Sequence, residues 1–351
     1  MYRYRLIFGF SKTCNLSDVR IGWKEGSEDF DMIKRKAIKI GIIGTGAMGS
    51  VYAGLLRDAG NEVWAIDRWV DHIEAIRKNG LRVEGKSGDR KVQINATTDA
   101  TEIGSCDLVI IATKAMDVVQ AAESAKALLG QNTSVLTIQN GLGSSEKVAD
   151  ILGGERVIVG IAGGFGASIK APGHVHHNGM EFVHLSELKG PVTSRLREIA
   201  VVWRDAGFTV KTFDDIHQLI WEKLICNVCF SGACAITEMT IGEIIADENA
   251  WQVASGCATE AFQVANSGGI KIDFDDPVEY VRNFGSKIPD ARPSMLLDLM
   301  EGRPSEIDFI NGAIPVEGEK LGVPTPFNTV VSALVRAKER RLGLRVSTNV
   351  L

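Results

Sequence analysis

The sequence predicts an α/β fold in which an N-terminal Rossmann-type dinucleotide-binding domain is followed by an all-helical C-terminal domain. Three observations predict it. A G-x-G-x-x-G sits between an apolar strand-like run and a helical pattern, further apolar runs end in polar tips, and from about Asp205 the periodicity turns helical. A chain of 351 residues is too long for one ordinary core, and we divide it into residues 1–31, 32–204 and 205–351.

The opening "MYRYRLIFGFSKTCNLSDVRIGWKEGSEDFD" has no clear periodicity and no motif, and its apolar "LIFGF" is far too short for a signal core. It reads as a non-functional extension such as an upstream start codon would add. The first domain then starts at Met32, just before "IKRKAIKIGIIGTG".

"AIKIGIIGTGAMGSVYAGLLRDAG" is strand, glycine turn and helix in succession. Gly44 allows the tight turn, Gly46 lets the backbone approach a pyrophosphate, and Gly49 lets the helix pack on the strand. The helix N-terminus offers free N–H groups and a positive dipole end to the anion. The second strand, "EVWAID", ends in Asp67 and Arg68. An acidic residue there bonds the ribose hydroxyls of NAD, whereas an arginine holds the 2′-phosphate of NADP, so the pair reads both ways.

"DLVIIAT" reads as a buried parallel strand leading to Lys114, and "TSVLTIQNG" as another leading to Asn140. Ligands of open α/β sheets collect beyond the carboxyl ends of strands, which is where both residues fall. A glycine-rich bend from Gly163 to Gly166 is placed to run along a nicotinamide. His174, His176 and His177 follow in "HVHH"; no Cys or carboxylate cluster accompanies them, so we read a solvated hairpin and no metal site.

The helical half opens with "DIHQLIWEKLICNVCFSGACAI", in which Lys223, Asn227 and Ser231 recur every fourth residue and so share one helix face. Apolar residues fill most other positions. A lysine in a buried helix is costly unless it is used, and desolvation lowers its pKa toward neutrality, where it donates a proton more readily. Later segments begin on Asp or Thr and end on Gly, as helices do.

A formal charge of −5 argues against nucleic acid as a partner. No run of about 18 apolar residues suggests a membrane span. The six cysteines, scattered along a long apolar-rich chain, read as reduced thiols in a cytoplasm, and Cys226-x-x-Cys229 as core thiols.

Together, Gly44-x-Gly46-x-x-Gly49, "TKAMD" with Lys114, "QNG" with Asn140, "WEKLICN" with Lys223 and Asn227, and "SMLLDLMEGRPSEIDFINGA" with Ser294 and Glu306 resemble the ketopantoate reductase family. The resemblance runs from about residue 38 to the C-terminus. It implies a fold like that of 6-phosphogluconate dehydrogenase, with the site in the cleft between the two domains. It also implies NADPH-dependent reduction of 2-dehydropantoate to pantoate, a step toward coenzyme A, by a cytoplasmic homodimer.

By that resemblance Lys223 is the catalytic acid with Glu306 beside it. Asn140, Lys223, Asn227, Ser231 and Ser294 face a small oxo-acid substrate. Gly44, Thr45, Gly46, Ala47, Met48, Gly49, Lys114, Asn140, Gly166 and Glu306 face the cofactor. Arg68 matches the family's 2′-phosphate arginine, which favours NADPH, while Asp67 departs from the pattern and leaves NADH open. Ser231 and Ala291 stand where the family often has asparagines that orient the substrate. That departure leaves a paralogous reductase of another oxo acid as an alternative reading. A dinucleotide sensor without catalysis is a third, opposed by the joint presence of Lys223, Asn227, Ser294 and Glu306. Removing residues 1–31 is expected to leave folding and turnover intact, as circular dichroism and steady-state rates of the truncated chain would show.

Overall fold

The computed structural model describes residues 36–344 apart from 165, 180 and 181, and the expected N-terminal extension lies outside the described residues. Its strands are β1 (Lys39–Ile43), β2 (Glu62–Ile66), β3 (Leu81–Gly85), β4 (Arg90–Val92), β5 (Asn95–Thr97), β6 (Cys106–Ile111), β7 (Leu129–Thr137), β8 (Val157–Gly163), β9 (Gly166–Ala171), β10 (His174–Gly179), β11 (Phe182–Glu187) and β12 (Val210–Phe213). The α-helices are α1 (Ala47–Asp58), α2 (Val70–Asn79), α3 (Val118–Ala125), α4 (Ser144–Leu152), α5 (Ser194–Asp205), α6 (His217–Thr237), α7 (Ile241–Ala246), α8 (Glu248–Ser267), α9 (Pro277–Gly285), α10 (Ser294–Met300), α11 (Ala313–Leu321) and α12 (Pro326–Arg341).

An eight-stranded sheet runs β12-β11-β8-β7-β6-β1-β2-β5, and its order reverses at β1, whose parallel neighbours are β2 and β6. The crevice at such a reversal, beyond the strands' carboxyl ends, is where an open α/β sheet receives its ligand. Ile40, Ile42, Leu108 and Ile110 are fully buried, as strands covered on both faces require.

A second, four-stranded sheet, β4-β3-β10-β9, packs over α1, and the described chain thus covers α1 on both sides. Every residue of α1 from Gly49 to Leu56 is therefore buried. The "HVHH" segment lies inside this second sheet. It does form a hairpin with β9, but β10 is an interior strand, and Val175 and His177 are fully buried, so the solvated reading is corrected. Glu84, on the neighbouring β3, supplies the carboxylate that the linear sequence hid: it lies 3.1 Å from His174 and 3.5 Å from His176. Among the described residues no cluster suited to a metal ion occurs.

Residues 205–213 are not part of the helical half. α5 ends at Asp205 and β12 pairs in parallel with β11, so the α/β part continues past residue 204 to Phe213. The short β12 carries little apolar periodicity of its own, and its place comes from a partner strand more than twenty residues earlier.

In the helical half α6 is the central element, packed by α8, α10 and α12 around one apolar cluster. By length and composition alone α6, with 21 residues and an 18-residue window of mean hydropathy 1.5, could cross a membrane, contrary to the expectation that no such stretch exists, but 67% of that window is buried inside the protein. Its apolar residues are those of the cluster, including Leu224, Val228 and Phe230. Helix starts follow the capping chemistry: Asp247 and Asp276 accept from first-turn N–H groups, and Thr240 and Glu243 form a reciprocal capping box. Cys226 and Cys229 are free, buried thiols, with the Cys226 thiol pushed up to about 12 by burial.

The join of β1 to α1 is tight, because a Cβ on Gly49 would lie 2.1 Å from the Gly44 carbonyl oxygen. Gly49→Ala is expected to cost about 3 kcal/mol in urea unfolding, since backbone rather than a flexible side chain would have to move.

Candidate active site

The end of β1 carries the glycine turn. Gly44 has φ +92° and lies so near the loop after β6 that a Cβ would fall 2.5 Å from the Thr113 nitrogen. Gly46, by contrast, faces open space, with nothing within 4 Å of where its Cβ would be. It caps α1 with no side-chain bond to the first-turn N–H groups. Gly46, Ala47 and Met48 thus present a part-exposed backbone surface at the N-terminus of α1, at the sheet's reversal point. This fits the pyrophosphate of a dinucleotide. Thr45 is fully buried and contributes backbone rather than side chain to that surface.

At the end of β2, Asp67 Oδ1 accepts the Trp69 N–H at 3.0 Å. The Arg68 guanidinium is 74% exposed and paired with Asp117 at 3.0 Å. Both residues stand at the edge of the glycine turn's crevice, where the second strand of a βαβ unit meets the ribose.

Lys223 projects from α6 into the seam between the two halves. Its Nζ donates to Asn140 Oδ1 at 2.8 Å and to the Ala162 carbonyl at 2.7 Å, which leaves one of its three N–H bonds unspent on the protein. Burial pulls its pKa down to about 8, and the charge of Glu306 opposes that shift. Asn140, Lys223 and Asn227 line one cleft, with Ile220 and Leu224 forming apolar wall beside them.

Asn140 is aimed by its neighbours. Gly141 has φ +83°, and a Cβ there would lie 2.0 Å from the Phe309 carbonyl oxygen, which accepts the Leu142 N–H at 3.0 Å. Gln139 donates to Ile111 O at 2.7 Å and to Thr113 O at 3.2 Å, so the ends of β6 and β7 are tied together.

Lys114 and Glu306 meet alongside. Glu306 accepts the Ala115 N–H at 2.9 Å and lies 3.7 Å from Lys114 Nζ. The primary partner of Lys114 is Asp298, at 2.6 Å, which Arg303 also holds at 2.9 Å. Asp298 was not among the residues expected at the site. Its signal was its place in the "SMLLDLMEG" segment, one turn after Ser294, and its partner is 184 residues away. Gln139 and the Ala162 carbonyl were likewise outside the expectation.

Three expected residues stand apart from the cleft that holds Lys223. Ser231, the last of the four-residue stripe, is only 3% exposed and packed in the helical core. Ser294 is exposed at the start of α10, and Gly166 opens β9 opposite Gly179. Gly163 lies under the Phe182 ring and Gly166 opens the second sheet, and neither is among the residues that line this cleft. Ala291 gives its carbonyl to the Ile241 N–H and sits against the helical cluster.

A dinucleotide cradle joined to a cleft with a buried amine defines an oxidoreductase that works with a nicotinamide dinucleotide on CH–OH groups. The comparisons narrow this. The family model "Ketopantoate reductase PanE/ApbA" matches residues 40–190, and "Ketopantoate reductase PanE/ApbA C terminal" matches residues 215–339. The chain belongs to the ketopantoate reductase family. It is 31% identical over 306 residues to the 2-dehydropantoate 2-reductase of Streptococcus pyogenes serotype M3, covering 87% of this chain and 99% of that protein. A ketopantoate reductase structure from Ralstonia eutropha JMP134 superposes with a TM-score of 0.81 at 33% identity, covering 87% and 99% of the two chains. A D-mandelate dehydrogenase structure with NADH and anilino(oxo)acetate gives 0.81 at 29% identity, covering 88% and 100%.

If Glu306 sustains the charge on Lys223, Glu306→Gln lowers the lysine's pKa below about 8. The pH at which Lys223 becomes reactive toward an amine-acylating reagent, read by peptide mass spectrometry, is then expected to move lower.

Proposed function

We propose that the protein reduces 2-dehydropantoate to pantoate with NADPH, and that Lys223 is the general acid. The observation that carries this reading is the half-buried Lys223, whose ammonium is held by Asn140 and Ala162 with one N–H still available. When bound, the reduced nicotinamide supplies the hydride to the ketone carbon. Negative charge then grows on the ketone oxygen, where a positioned ammonium stabilises it and gives up a proton. A lysine with a pKa near 8 is charged at neutral pH yet surrenders its proton readily. Asn227, one turn along α6 in the same cleft, orients the substrate, and Asn140 stands between substrate and cofactor. Ser231 is closed in the helical core and Ser294 lies exposed at the start of α10, so the substrate contacts are assigned to Asn140, Lys223 and Asn227.

NADPH as the preferred donor is supported by Arg68, whose exposed guanidinium can exchange Asp117 for a 2′-phosphate by rotating its side chain. Asp67 keeps one carboxylate oxygen clear of the Trp69 N–H, and this favours NADH as the secondary donor.

A second reading is another 2-oxo acid as substrate. It is favoured by Ser231 and Ala291, which take no part in the cleft and supply none of the amide bonds that the family's asparagines would. Absorbance at 340 nm, with 2-dehydropantoate and a panel of 2-oxo acids against NADPH and NADH, separates the two. Turnover confined to a different oxo acid would overturn the first reading. Lys223→Ala is expected to lower kcat by about 10²–10⁴-fold while the NADPH Kd stays near the wild-type value; near-normal turnover would remove Lys223 from its role.

A further inference from the structure

His72, in the first turn of α2, is fully buried and belongs to none of the groups considered so far. Its Nδ1 accepts the Gly173 backbone N–H at 3.1 Å. In the neutral ring the proton must then sit on Nε2, which lies 3.1 Å from Ser50 Oγ. Ser50 is itself fully buried and spends its hydroxyl proton on the Thr45 carbonyl at 2.9 Å. Each donor in this chain has one acceptor and each acceptor one donor, running from Gly173 through His72 and Ser50 to Thr45. Burial keeps the ring neutral by pushing its pKa down, against the pull of nearby Asp67.

The chain ends in the glycine turn, on the carbonyl of the residue between Gly44 and Gly46. The other face of the same imidazole carries Trp69, stacked at 4.7 Å between centroids and 16° between planes. The backbone N–H of Trp69 in turn donates to Asp67 Oδ1. One ring therefore braces both segments that read a dinucleotide: the turn at its pyrophosphate and the loop at its ribose.

We propose that His72 is a positioning residue for the dinucleotide, fixing the Thr45 carbonyl through Ser50 and the Asp67–Trp69 loop by stacking. The inference rests on the glycine turn being the pyrophosphate cradle. It names no contact between His72 and the cofactor. A fixed turn keeps the N–H groups of Gly46 and Ala47 aligned before the anion arrives, so losing the brace weakens binding without touching the chemistry at Lys223.

The test is direct binding with the full chain. Titrations following reduced-nicotinamide fluorescence give the NADPH Kd of wild type, His72→Leu, His72→Gln and Ser50→Ala, and thermal melting of each free protein reports the fold. His72→Leu and Ser50→Ala are expected to raise Kd about tenfold. His72→Gln, whose amide restores an N–H donor at the Nε2 position, is expected to recover most of the loss, with the free proteins melting within a few degrees of wild type. Unchanged Kd in His72→Leu and Ser50→Ala overturns the proposal, as does a Gln variant no better than Leu. Should His72→Leu fail to fold, Ser50→Ala and His72→Gln decide by the same criteria. Failure of the wild-type chain to bind either NADPH or NADH would instead remove the cradle reading, and the proposal with it.

Discussion

A buried ammonium needs oxygen partners, and the partners of Lys223 all come from the other half of the molecule. Asn140 Oδ1 stands beyond the end of β7, and the Ala162 carbonyl belongs to β8. An unpaired charge there would be costly, so Lys223 ties its end of α6 to these strand ends while the apolar residues of the helix pack on α8, α10 and α12. The seam and the depressed lysine pKa meet at this one side chain. Had α6 been more polar, Lys223 would sit in a wetter place, with its pKa nearer the ordinary lysine value.

The seam repeats the same theme with opposite sign. Asp298 and Glu306 are carboxylates almost closed to solvent, and both are answered from the loop after β6, by the Lys114 ammonium and the Ala115 N–H. The segment from Asp298 to Phe309 therefore follows the contours of the α/β loops more than any helical preference of its own. α10 itself supplies Asp298, and the turns between α10 and α11 place Glu306 and the Phe309 carbonyl against those loops. Lys114 is thereby held between two carboxylates of the helical half.

Much of this was legible in the linear chain, because some signals are local. The strand, glycines and helix around Gly44 form one contiguous pattern, and the spacing of Lys223 and Asn227 needs only the helical repeat. The opposed influences of burial and Glu306 on Lys223 follow from residue types once the family's motifs are aligned. What was missed depends on distance along the chain. β3 and β10 are nearly a hundred residues apart, and nothing near "HVHH" announces that Glu84 will lie beside it. β12 owes its place to β11, which is why the helical half starts at His217 rather than Asp205. Ser231 obeys the four-residue spacing, but α8 and α12 close over α6 at that depth and leave only the first two members of the stripe in the cleft.

The contact between Gly141 and the Phe309 carbonyl leaves no room for a spacer, and a backbone hydrogen bond from Leu142 crosses it. A side chain at position 141 would have to push the Phe309 backbone aside, and the Asn140 amide next to it would lose its register against Lys223.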